Sequence, residues 1–140
     1  MTVEETKILI EGFESGTLPK NQWTHYAHFV MALWYTYHQP LHQARQSIKK
    51  GIKHYNESAG GKNTIDSGYH ETITELYIRI IVCYQLSFGE ATFANLLKNL
   101  SEQKFIDKAF PFTYYTKELL MSKEARMAWV NPDIAPLPSY

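Results

Sequence analysis

Three of the six histidines in the chain stand in two short stretches, WTHYAH (Trp23 to His28) and YHET (Tyr69 to Thr72), at the starts of two of its most apolar segments. His25 and His28 are three residues apart, so on a helix they share a face and both imidazoles can reach one ion. His70 and Glu71 are rotated by about 100° from each other around a helix. His70 then falls on the side of Ile73 and Tyr77, and Glu71 on that of Thr74 and Ile78. Neighbours on a helix rarely bind the same ion. The spacing therefore assigns His25, His28 and His70 as candidate ligands of one divalent metal, with Glu71 as the general base or as the partner that orients a ligand. Three histidines with one open position are the pattern of a catalytic zinc, whose bound water becomes a nucleophile near neutral pH. Glu71 or Glu14 would take the proton in a metal-assisted hydrolysis of a small molecule. Histidine suits zinc, iron, nickel and copper alike, so the metal's identity stays open.

Two other readings use the same residues. Trp23, His25 and His28 can be core residues whose ring nitrogens bond Thr72, Thr74 or backbone carbonyls. Alternatively, two helix N-termini and neutral histidines can hold a carboxylate or phosphate. Either makes the protein a non-enzymatic small-ligand binding or interaction module with structural histidines. Every reading expects neutral rings, because the positive end of the helix dipole disfavours imidazolium. Glu71 on an apolar surface needs a partner, and Arg79 or Arg126 serves if no metal does.

The elements that must position these groups are helices. Val3 to Ser15 has helical apolar spacing and ends at Gly16; a second helix runs from Gln22, capped by Asn21, to His38 before Pro40. A third covers Leu41 to about Ser58, and SAGGKNTIDSG is the clearest loop. Ser67 caps a fourth helix from Gly68 to about Phe88. EATFANLLKNL gives a shorter fifth, Thr116 to Met121 a sixth, and Ser122 caps the last, while PDIAPLPSY lies extended on the body. The second and fourth segments are apolar nearly all round and should be central. The fold class is all-α: a single domain over residues 1–140, a bundle of six to seven helices with a Pro-rich tail. Short loops make consecutive helices antiparallel. The N-termini of the second and fourth helices then share one end of the bundle with the C-termini of the first and third, which gathers Glu11, Glu14, His25, His28, His54, Tyr55, Asn56, His70 and Glu71.

Composition narrows the partners. Fourteen basic residues balance fourteen acidic ones, which argues against nucleic acid, and Lys49, Lys50 and Lys53 read as a solvated helix face. A 14% aromatic share implies rings that are buried or line a pocket; Tyr114 and Tyr115 could line it, although aromatic pairs are more often packing. The single cysteine, Cys83, sits among apolar neighbours and reads as an inert buried thiol in a reducing compartment. The N-terminus has acids where a signal peptide has positive charge, and the longest apolar run, Phe29 to Tyr35, is far shorter than a membrane span. A cytoplasmic protein acting on or binding a small molecule is expected.

The combination of FESGTLPKNQWTHYAHFVMALWY, YHETIT, ELLMSKEARMAWVNPD and a closing PLP resembles a group of small bacterial helical proteins of uncharacterised activity. The likeness covers most of the chain, and its sharpest pieces are carried by Trp23, Thr24, His25, His28, Tyr69, His70, Glu71 and Thr72. It implies a bacterial source and points to the same residues. The chain is also loosely similar to the DinB-like metal-binding bundles, which draw three histidines from different helices, although its spacing departs from theirs.

Overall fold

The computed structural model describes residues 1–139. It contains α1 (Val3–Ser15), α2 (His25–His38), α3 (Leu41–Ser58), α4 (Glu71–Ser87), α5 (Phe93–Leu100), α6 (Lys117–Leu120) and α7 (Lys123–Met127). Three short 3₁₀ turns lie at Lys20–Gln22, Lys104–Ile106 and Phe110–Thr113, and the described residues form no strand. The protein is all-α.

Burial follows the apolar pattern of each helix. α2 packs against α1, α3, α4 and α5, and accordingly buries Phe29, Val30, Met31, Ala32 and Leu33 in succession. α4 packs against α2, α3 and α7. α3 is amphipathic and buries only the stripe Ala44, Ile48 and Tyr55. One continuous core runs from Leu9 through α2 and α4 to Leu120. Each fully buried Leu or Ile in it contributes roughly 1.5–3 kcal/mol by leaving water. No described helix is long and apolar enough to cross a membrane.

The starts of α2 and α4 differ from those read off the sequence. α2 begins at His25 rather than Gln22, because Thr24 is extended and its Oγ1 accepts from the Ala27 amide at 3.1 Å. Asn21 instead lies in the 3₁₀ turn. α4 begins at Glu71 rather than Gly68. Gly68 has φ +80°, a left-handed conformation that interrupts any helix there, and the cap is His70 itself, whose Nδ1 accepts from the Ile73 amide at 3.1 Å. Both histidine-bearing stretches therefore stand at caps, where backbone and side chain compete for the same bonds.

Beyond α7, residues 128–139 are irregular but tied down. Asp133 accepts from the Thr116 amide and hydroxyl at 2.8 and 2.7 Å, and the Ile134 amide donates to Tyr114 O at 2.9 Å. Cys83 is half-buried rather than enclosed, with its Sγ 3.9 Å from the carbonyl oxygens of Pro138 and Ser139.

Candidate ligand pocket and its histidines

The helix ends converge as the alternation of direction requires. The N-termini of α2 and α4 and the C-terminal end of α3 enclose one cleft, lined by Trp23, His28, Tyr55, Asn56, Tyr69 and His70. Gly16, at the end of α1, lies alongside His54 and Ser58 of α3.

Within this convergence each of the three imidazoles is tied to a different backbone carbonyl. His70 is 8% exposed; its Nε2–H donates to Leu120 O at 2.8 Å while Nδ1 accepts from Ile73. A carbonyl can only accept and an amide N–H only donate, so the ring is the neutral Nε2–H tautomer with both nitrogens engaged. Burial pushes its pKa below the ordinary histidine value, and nearby Arg126 adds to the effect. His25 Nε2–H donates to Ile106 O at 2.9 Å. His28 Nδ1–H donates to Thr24 O at 2.6 Å, and its ring stacks on Trp23 with centroids 3.9 Å apart. Burial lowers the pKa of these two rings as well. The same logic leaves His25 Nδ1 and His28 Nε2 as unprotonated acceptors, without a protein partner among the described residues.

His25 and His28 line a cavity of about 360 Å³, and His70 does not. The cavity lies between α2, α3, α4 and the segment 108–121, with walls built from Phe29, Ile48, Ile78, Tyr77 and Leu120. Lys108, Phe112 and Met121 reach it from that segment and are themselves solvent-exposed. Nothing in the periodicity of FIDKAFPFTYY announces this role, because the segment folds as two 3₁₀ turns and irregular chain. Tyr114 and Tyr115 lie outside the lining: Tyr115 is fully buried and donates to Val130 O at 2.7 Å.

Among the described residues no group of three His, Cys, Asp or Glu side chains is placed to hold an ion. Glu71 lines neither cavity. Its carboxylate accepts from Lys49 Nζ at 2.8 Å and from Tyr69 Oη at 2.6 Å. Burial works to raise its pKa, but the bonds to Lys49 and Tyr69 prevail and hold it below the usual carboxylate value. Its partner is thus Lys49 rather than Arg79 or Arg126. Arg126 donates to Gly68 O at 2.8 Å, and Arg79 turns to Glu75 at 3.1 Å while its guanidinium lies over the Trp129 ring at 4.2 Å. Glu75, 5% exposed, also receives Arg45 at 3.1 Å and Lys49 at 3.0 Å. The signal for Glu75 in the sequence is its spacing of four from Glu71 and from Arg79 on one helix.

No family model, curated protein or solved structure matches the chain.

Proposed function

We propose that the protein binds a small, largely apolar molecule in the cavity between α2, α3, α4 and the segment 108–121. The observation that carries this reading is the cavity itself. Its volume of about 360 Å³ falls in the roughly 300–1,000 Å³ of small-molecule sites, and such sites pair an apolar wall with a few fixed polar groups. His25 and His28 are such groups: backbone carbonyls hold both rings, so little rotamer freedom is lost when a ligand arrives.

The test is calorimetric titration of the untagged protein with one- and two-ring apolar compounds, beside an Ile52→Trp variant. Ile52 is a half-buried lining residue, so the indole should fill the space without disrupting the fully buried core. Wild-type binding that disappears in a folded Ile52→Trp protein is expected. Binding that is unchanged in the variant would place the ligand elsewhere.

A second reading keeps the divalent metal, since His25 and His28 each retain an unprotonated nitrogen and are three apart on one helix. Such an ion would take its other ligands from water or a bound molecule, because His70 would have to give up its cap bond to the Ile73 amide, or both of its bonds, to join. Equilibrium dialysis against zinc, nickel or iron(II) separates the cases: stoichiometric metal that His25→Ala and His28→Ala remove supports a metal centre, and metal that His70→Ala also removes restores the three-histidine site. An apolar ligand retained by metal-free protein supports the first reading.

A further inference from the structure

We propose, resting on that binding function, that the pocket selects neutral ring compounds carrying a hydrogen-bond donor, the phenol and indole class, over carboxylates and over the same rings without a donor. The selection follows from two tautomers. Thr24 O fixes the proton of His28 on Nδ1, and Ile106 O fixes that of His25 on Nε2. The polar atoms these rings have left, Nε2 and Nδ1, are therefore lone pairs. Fully buried side-chain nitrogens and oxygens all have partners among the described residues, so these two nitrogens are accessible atoms, on rings that line the cavity.

A cavity whose histidines can only accept repels an oxyanion. A carboxylate placed against either ring would meet a lone pair and lose its water without compensation. The lining cation, Lys108, is solvent-exposed and forms no ion pair among the described residues, so it offers a carboxylate only a hydrated charge at the rim. An O–H or N–H group, by contrast, gives either imidazole the donor it lacks. The body of such a ligand also finds suitable surfaces. Phe29 meets Tyr77 edge-to-face at 4.7 Å and His25 at 5.0 Å, so the wall is already a set of rings in the arrangement that aromatic groups prefer.

Calorimetry at pH 7.5 with three matched probes tests this: 2-naphthol, its methyl ether and naphthalene-2-carboxylate. The naphthol should bind about tenfold more tightly than the ether, the margin of one good hydrogen bond, and the carboxylate should bind weakest. His25→Phe and His28→Phe should between them erase the naphthol's advantage while ether binding survives. Equal affinity for naphthol and ether would overturn donor selection yet leave the apolar pocket standing. A carboxylate that binds more tightly than the naphthol would overturn it too, since the pocket would then be donating. Failure of all three probes to bind would remove the pocket reading itself. The comparison among probes on the wild-type protein decides the matter even if a variant fails to fold.

Discussion

His70 combines two jobs that proteins usually divide: it caps α4 through Nδ1 and ties α4 to the end of α6 through Nε2. Removing an N-cap costs about 1 kcal/mol, and a lost buried hydrogen bond adds about 0.5–1.5 kcal/mol. His70→Ala should therefore lower stability by about 2 kcal/mol in urea unfolding, and His70→Asn, which can still cap, by clearly less. The same residue should make the protein acid-sensitive. His25, His28 and His70 all have folded pKa values below the ordinary one, so the folded state favours the neutral rings. Their contribution is then complete above an unfolded value of about 6.5 and is lost as pH falls from there through the folded values. Urea midpoints at pH 7.5 and 5.5 should show the loss, and His70→Asn should flatten it; a midpoint that rises on acidification would contradict the assignment of neutral rings. Glu71 and Glu75, with folded values lowered, act in a separate window. Their contribution is present above about 4.3 and disappears as pH falls further.

Between elements, Glu75 is the tie that joins α4 to α3. Its side chain is 7% exposed and bonded to Arg45, Lys49 and Arg79. Glu75→Ala removes the acceptor that Arg45, Lys49 and Arg79 share; since those cations are partly solvated, the cost should fall at or below about 3 kcal/mol, the lower end for breaking a buried pair. Glu71→Ala, at a more exposed site, should cost about 1 kcal/mol or less. Gly51 on α3 is a second coupling point, because a methyl there would lie 2.6 Å from Cε2 of the fully buried Phe13. The gain in helix propensity from Gly to Ala is about 1 kcal/mol, and overpacking costs about 1–3 kcal/mol. Phe13 stacks on Trp23 at 4.9 Å, which leaves the ring little room to give. Gly51→Ala should therefore lower the melting temperature and change tryptophan emission; a raised melting temperature would show that Phe13 can swing aside. The extents of α1 and α3 were legible in the sequence because Gly16 and Pro40 are local signals. The starts of α2 and α4 were not. Asn21 has better capping chemistry than its position uses, and imidazole is a cap that propensity rules do not anticipate.

At the scale of the molecule, the all-helical class and the meeting of WTHYAH with YHET could be read from periodicity and helix direction alone. The fate of the individual nitrogens could not. His25 is bonded to a carbonyl 81 residues away and His70 to one 50 residues away, and such partners are set by how an irregular segment docks rather than by any local pattern. Glu71 looked like a proton carrier for the same reason: its engagement with Lys49, 22 residues away, is a tertiary fact. A ligand in the cavity touches four separate stretches of chain, so it should stabilise the whole fold cooperatively. At 100 times its dissociation constant it should add about 2.7 kcal/mol to unfolding, read as a shift of the whole urea transition rather than of one phase.

The carbonyls that hold His25 and His70 also impose an order in time. A nascent chain that has emerged as far as residue 100 already contains α1 to α5, with the open faces of α2 and α4, yet Ile106 O and Leu120 O do not yet exist beside it. At about 5–20 residues per second, the missing wall follows roughly one to four seconds later. During that interval the faces of α2 and α4 that this segment later covers stay open and the cavity lacks one wall, so on the binding function proposed above an occupied cavity would report that residues 106–121 have docked.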